Sequence, residues 1–496
     1  MELKKFIAFF AMLALSIVLA SCASTKIEAG DTNPAGSEAE KKSAKVKKIK
    51  YNEDAYAEAY NNRDYKTCLG MMMYKAKKKG TIRDNLDVAM LQFISENYAD
   101  AAATFEKVDD KMFDAVTKSI TRTFAAAVGN ANAKEYCGNV YESLLVNTMN
   151  SLCYFQMGDL TSAVNQLSKL SDTKLPEYRR LYGEVSVDTP SYSDDDFKTN
   201  SKTLSTYGVD SSVFSNAAPK KPGKEDVYQE SALARYLSLI LRQADGDKSQ
   251  IDSDAMVLKS LVRDFDSADA NIPSDKGRLN VLALAGLIGK QTPGALYFPS
   301  KSTYFFVPTG NPLYKAIPVQ FKFVYPIYEK KYTVSGVDVV LNSVGTKKTI
   351  IIENFNNDLE KSVKLRAYKE YNASVARSIT KKVSGIVAGI ASIEASYIGM
   401  KNVQNELLSA ILETTFNALC LSTAAGLAAI DLTETPDIRQ GEFFPETANA
   451  SGFTVPAGSY KGKVIYRFSD GTTCEKPFEA KVTAGKPTLV VSSCIQ

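Results

Sequence analysis

The chain has no histidine and no tryptophan among its 496 residues. Without histidine it lacks the one side chain whose unperturbed pKa lies near neutrality. Ser-His-Asp and Cys-His pairs, HExxH zinc sites and histidine-ligated haem are therefore excluded. An excess of one charge is nearly missing too: 60 Lys and Arg against 56 Asp and Glu leave a formal +4, too thin to imply nucleic acid as a partner. No pair among the seven cysteines has CxxC spacing. What is present, 45% hydrophobic and 23% charged residues, is the composition of an average soluble protein. At roughly 100 to 200 residues per domain, the length predicts about two to four domains.

The N-terminus reads as an address. Lys4 and Lys5 precede an apolar run from Phe6 to Ala20, about the length of a signal-peptide core and short for a membrane span. The run ends at Leu19-Ala20-Ser21-Cys22, which resembles the lipobox of bacterial lipoproteins. That resemblance implies removal of residues 1–21 and lipidation of Cys22, palmitate included. Cleavage removes Glu2, Lys4 and Lys5 and lowers the formal charge to +3. Ala23 and Ser24 lack the aspartate that retains enteric lipoproteins in the inner membrane, so an outer-membrane anchor is expected, with the body on the periplasmic face or at the cell surface. Acylation at one cysteine holds a soluble body at a bilayer without a spanning helix. Residues 22–50, with Lys41, Lys42, Lys45, Lys47, Lys48 and Lys50, read as a lipidated, solvated tether.

From Tyr51 to about residue 275, apolar residues recur at helical spacing between short polar turns. Three turns look alike: Arg63-Asp64-Tyr65-x-x-Cys68-x-x-x-Met72, Glu96-Asn97-Tyr98-x-x-Ala101-x-x-x-Phe105 and Gly158-Asp159-Leu160-x-x-Ala163-x-x-x-Leu167. Each resembles the turn and second helix of a tetratricopeptide hairpin, where a small residue allows close helix approach and a larger one four later fills the groove. The turn positions 65, 98 and 160 are 33 and 62 residues apart, against a repeat of about 34. A looser fourth copy runs from Gln229 to Gln243, turns at Asp245-Gly246-Asp247 and continues through Phe265. Such arrays hold other polypeptides on concave surfaces. Asp188 to Lys224, with Asp194-Asp195-Asp196, reads as a long inserted loop.

Residues 276–435 are mixed. Leu279 to Leu287 fits a buried strand or short helix, and Val319 to Tyr325, Val337 to Leu341 and Thr349 to Ile352 read as strands. Asn354 to Ser384 predicts a long helix with an apolar stripe of Leu359, Val363, Ala367, Val375 and Ile379. Lys361, Lys364, Arg366, Lys369, Arg377, Lys381 and Lys382 are expected on its solvated face. The weakly charged segments Val383 to Met400 and Leu407 to Ile430 predict a buried helical hairpin, with membrane insertion as the alternative. Residues 436–496 alternate around Ser469-Asp470-Gly471-Thr472 and predict a small antiparallel β module. The fold class expected is α+β and multidomain.

In this order the chain is similar to a family of large bacterial lipoproteins with a tetratricopeptide-like N-terminal half and a mixed C-terminal half. The resemblance rests on Tyr141 to Leu170, Gln229 to Asp247, the helix bearing Arg366 and Arg377, Thr435-Pro436-Asp437-Ile438-Arg439, and Pro456-x-Gly-x-Tyr460. The family's biochemical role is not established. Its frequent company, lipoproteins that activate cell-wall synthases, implies envelope biogenesis by association.

Few motifs in the chain carry chemistry. Gly286-Leu287-Ile288-Gly289-Lys290-Gln291 lacks the four-residue spacing and the Ser or Thr of a phosphate loop, and the aspartates from Asp245 to Asp254 lack a calcium loop's central Gly and closing Glu. No catalytic residue, metal site or cofactor is predicted. Cys68, Cys137, Cys153 and Cys420 suit helix cores, while Cys474 and Cys494, both in the terminal β region, are the candidate disulfide. The leading expectation is a non-enzymatic, lipid-anchored envelope scaffold that binds proteins through its helical repeats. The alternatives are a secretion or membrane-remodelling component acting through residues 383–430, and a His-free cell-wall enzyme.

Overall fold

The computed structural model describes residues 46–121, 135–178, 194–206, 209–210, 216–223, 230–299, 319–329, 331–401 and 406–495. Cys22, the signal segment and most of the tether lie outside them. The N-terminal half pairs its helices into hairpins: α1 (Glu53–Asn61) with α2 (Tyr65–Lys79), α3 (Ile82–Ile94) with α4 (Tyr98–Thr121), and α5 (Val140–Gln156) with α6 (Leu160–Ser168). After α7 (Asp194–Thr206), α8 (Ala232–Asp245) and α9 (Ile251–Leu261) make a fourth pair.

All four turns have one geometry. Arg63, Glu96, Gly158 and Gly246 sit in the left-handed region at φ 59°, 59°, 82° and 90°. The next N–H of each, on Asp64, Asn97, Asp159 and Asp247, donates to the carbonyl five residues back, on Ala59, Gln92, Tyr154 and Arg242, at 2.8–3.0 Å. This satisfies carbonyls that a helix end leaves orphaned. Asp64 and Asp159 then accept from Thr67 N (3.1 Å) and Ser162 N (2.9 Å), capping the second helix of their pairs. Hydrogen bonds from the side chain and backbone of Thr67, and from the backbone and side chain of Ser162, hold both carboxyls below the usual range.

The strands form three sheets. Four make the first, in the order β10 (Pro487–Cys494), β1 (Lys276–Leu287), β7 (Pro445–Pro456), β6 (Ile350–Asn354), with β1 and β10 parallel. A two-stranded pair joins β2 (Lys290–Pro299) to β3 (Gln320–Glu329), and a third sheet runs β5 (Gly345–Lys348), β4 (Val334–Leu341), β8 (Gly458–Phe468), β9 (Thr473–Val482). β1 explains its own apolar run, because both its faces are covered. Leu282 and Leu284 join the helical core, whereas Leu279, Val281, Ala283 and Ala285 face the third sheet with Val339, Val464 and Tyr466. The fold is thus layered, helices on one face of the first sheet and a second sheet on the other.

Two expectations are corrected here. The hairpin across Ser469 to Thr472 forms, but residues 436–496 make no sheet of their own: β7 and β10 pair with β1, and β8 pairs with β4. The local alternation was legible, while the pairing is decided by long-range register. The loop read at 188–224 contains α7, whose Leu204 joins a core with Phe321, Phe323 and Tyr371. Asp194, Asp195 and Asp196 are the first three residues of that helix. Gly286, at φ 68°, lies where β1 gives way to the β1–β2 turn, so the Gly-Lys sequence there is a strand turn and opens no helix.

Candidate functional site

No proline occurs between Pro326 and Pro436, and the chain uses that freedom for two long helices, α10 (Phe355–Lys401, 47 residues) and α11 (Glu406–Thr433, 28 residues). The predicted stripe Leu359, Val363, Ala367, Val375 and Ile379 is buried along the first part of α10. The basic residues beside it are not all solvated, as expected, because several meet carboxylates returning at the end of α11. Arg377 Nη2 lies 3.2 Å and Lys381 Nζ 2.5 Å from the wholly buried Glu434, and Lys382, its side chain 1% exposed, pairs with Asp431 at 2.8 Å and donates to the Gln320 carbonyl. Burial pulls the Lys382 ammonium down, against the charge and hydrogen bond of Asp431. Lys322 on β3 donates to the Asp431 and Glu434 carbonyls at 3.0 and 2.9 Å, placing a cation at the negative end of α11.

Beyond this collar the hairpin changes character. Ile386 and Ile393 on α10 and Phe416, Cys420 and Leu427 on α11 are buried at helical spacing, as the seam between two antiparallel helices requires. Gly385 packs against Leu427 and Ile430, and a Cβ on Gly389 would stand 2.3 Å from Thr423 Cγ2, so the close approach needs glycine there. The outward face is apolar and uncovered: Val387 and Ile398 are 61% exposed, Leu421 73%, and Leu408 and Ile411 are exposed as well. Ala410–Thr433 is long and apolar enough to cross a membrane, yet only 17% of its apolar window is buried. The helical hairpin is therefore found, but the expectation that it is buried fails.

Four exposed hydroxyls on it are occupied by their own helices. Ser392, Thr414, Thr415 and Ser422 each donate to a carbonyl three or four residues back on their own helix, at 2.9–3.0 Å. That arrangement asks nothing of water. Glu413 is the described charge that remains exposed on the shaft.

After α11 the segment Thr435 to Phe444 ties the hairpin to the rest of the body. Asp437 N donates to Glu370, Gln440 bonds Gly289 and Gln291, Gly441 N donates to Glu142 (2.6 Å), and Glu442 N donates to Asp87 (2.7 Å). Arg83 on α3 reaches the Gln440 carbonyl and Glu442. Burial pushes Glu142 and Asp87 up, Glu142 in spite of the hydrogen bonds it accepts. Burial also acts on Asp437, but Arg439 and Arg366 outweigh it and hold that carboxyl down. Arg366, Asp437 and Arg439 thus serve a structural strap.

Of the positions expected to pack a repeat, Cys68, Met72, Ala101, Phe105, Ala163 and Leu167 are buried in the helical core, with Tyr65, Tyr98 and Leu160 packed against it and Gly158 in its turn. Cys474 and Cys494 line one cavity. A cleft of about 710 Å³ between the α1–α2 turn and the sheets holds Arg63, Lys290, Lys331, Glu329 and Asp470. Arg63 pairs with Asp470 at 3.7 Å and Lys290 lies over the Tyr60 ring at 4.4 Å. Hydrogen bonds from Thr472 hold Asp470 below the usual carboxylate range, opposite to what a general acid needs. Among the described residues no group of three or more metal-ligating side chains occurs.

The collar partners Lys322, Asp431 and Glu434 escaped the sequence reading. Their signal was the spacing of Arg377, Lys381 and Lys382 on one turn of helix opposite two carboxylates just before a proline. No family model matches the chain, and neither does any curated protein or solved structure.

Proposed function

We propose that this is a non-enzymatic envelope protein that works at a bilayer, its lipid-bearing Cys22 tethering the body while the hairpin of residues 383–430 enters hydrocarbon. The observation that carries the reading is the uncovered apolar face of that hairpin. At 1.5 Å per residue, the stretch from Val383 to Lys401 is about 28 Å long, close to a hydrocarbon core of about 30 Å. Enclosing the exposed large side chains is worth about 1.5–3 kcal/mol each, enough to offset the desolvation of a charge such as Glu413.

The test uses the chain from residue 22 with Cys22→Ser, so that no lipid assists, mixed with vesicles of phosphatidylethanolamine and phosphatidylglycerol. The intact chain should float with the vesicles, and a chain in which 385–428 is replaced by a short Gly-Ser linker should not. An intact chain that stays unbound as a monomer, or covers the face by self-association and ignores vesicles, overturns the reading.

A second reading, the scaffold that holds a polypeptide on tetratricopeptide-like repeats, is favoured by the shared geometry of the four helical turns. Deleting the helices would not test it, since they cover one face of β1. Photo-crosslinkers at the exposed Met157 and Met256 keep the fold intact. An envelope polypeptide captured at Met157 and released by a competitor supports this reading, and no capture at either position refutes it.

A further inference from the structure

We infer that Cys474 and Cys494 pair as a disulfide that clamps β9 to β10 at the corner where the first and third sheets meet. β9 takes its ladder bonds from β8 and β10 takes its own from β1, so no backbone ladder joins the two strands. They nonetheless run side by side. They follow one another through a turn in which Gly485 has φ 69° and its N–H donates to the Lys276 carbonyl at 2.9 Å. Thr488 Oγ1 donates to the Lys481 carbonyl at 3.3 Å. At the far end of the two strands Cys494 is buried in the same core that Cys474 packs against, and burial, with the neighbouring Cys474 thiol, raises Cys494. Pro477 has no N–H with which to bond a neighbour, and the gap left on this side opens into a cavity of about 330 Å³ lined by both cysteines, Tyr65, Phe93 and Phe478. A covalent link is the missing cross-strand tie.

Exposure sets the order of events. Cys474 is half-buried and Cys494 buried, so an oxidant meets Cys474 first. Its thiolate attacks the disulfide of a thiol oxidoreductase, forming a mixed disulfide and releasing one of that protein's sulfurs as a thiol. Cys494 then gives up its proton and attacks the Cys474 sulfur, closing the bond and releasing the second thiol. Two thiols lose two protons and two electrons, and the oxidoreductase's disulfide becomes a dithiol. Burial raises the Cys494 thiol, which suits a resolving partner held against its target better than a free nucleophile.

In the cell the pairing rests on the export that the proposed function assumes, so the experiment separates the two. The full chain exported by a bacterium, and the chain from residue 22 purified reduced and equilibrated with oxidised glutathione, are each alkylated and digested with trypsin without reduction. Because Lys476 and Lys486 precede proline, the cysteines fall in peptides 468–481 and 482–496. The expected product is these two peptides joined, about 2 Da lighter than their sum and separated by reductant, and Cys474→Ser should abolish it. The oxidised chain should also melt several degrees above Cys474→Ser, a difference that reductant erases. Linkage with glutathione but not after expression supports the pair and counts against export. Alkylation of both cysteines in both samples, or linkage of either to another cysteine, overturns the inference.

Discussion

One helix, α10, runs through two environments and obeys different rules in each. From Phe355 to Lys382 its apolar stripe lies in the core and its cations meet assigned partners, so that Arg377, Lys381 and Lys382 are matched by Glu434 and Asp431. From Val383 onward small residues face α11, while Val387 and Ile398 face outward. Helix propensity is satisfied in both halves and does not distinguish them. The difference is what covers the outer face: protein in one half, nothing from the described chain in the other. Charged groups held in a dry core fix position, whereas an apolar face left open is a surface awaiting a solvent that suits it. Because the helix is continuous, the collar fixes how the open half is presented.

The contrast breaks most severely at the collar. Glu434→Gln keeps the shape and removes the charge, leaving the buried Arg377 and its neighbour Lys381 without their carboxylate. The expected loss is about 3–5 kcal/mol of folding stability, read from urea unfolding of the chain from residue 22. Gly389→Leu acts one level down, in the seam. Its side chain would collide with Thr423, and overpacking of this kind costs about 1–3 kcal/mol. Since the seam lies beyond the body, the loss should appear as faster amide exchange within 383–430, with exchange in the β1 and β7 core unchanged.

The sequence announced these halves unevenly. The stripe from Leu359 to Ile379 was readable because a helix repeats every 3.6 residues whatever covers it, and β1 was readable as a strand or buried helix because both of its faces exclude water. Burial of the hairpin is not legible for a related reason: a run such as Val383 to Met400 has the same composition whether protein or lipid surrounds it. The collar stayed hidden because Lys382 and Asp431 are 49 residues apart and only the antiparallel return of α11 brings them together. The left-handed turn positions were visible at Gly158 and Gly246 and concealed at Arg63 and Glu96, where residues with a Cβ take the same φ. Which strands pair with β1 is a matter of long-range register that local alternation does not encode.

On the shaft itself, substitutions should separate folding from membrane binding. Glu413 is exposed, so Glu413→Gln should leave stability in water within about 0.5 kcal/mol. In hydrocarbon the carboxylate is the costly group, at about 2.5–3.5 kcal/mol near the centre of a span. Glu413→Gln should therefore raise the vesicle-bound fraction in flotation, and Glu413→Lys should not. Equal binding by all three chains would mean that this part of α11 stays in water.

The smallest expected effect on folding makes the sharpest test of the comparison. Val387 and Leu421 are more than half exposed and lie on the outward faces of their helices, so Val387→Ser with Leu421→Ser removes contact with water and little else. Unfolding in urea should change by no more than about 0.5 kcal/mol per site. If hydrocarbon covers these side chains at a membrane, each substitution forfeits about 1.5–3 kcal/mol of burial, and the pair should weaken vesicle binding by at least about a hundredfold. The matching pair on the covered half, Val375→Ser with Ile379→Ser, should do the reverse, destabilising the fold by about 2 kcal/mol or more while the fraction that remains folded binds vesicles as before. Should the outward pair lower stability in water as much as the inward pair, the two halves of α10 would share one environment, and the open face would be an internal surface of an assembly that forms without lipid.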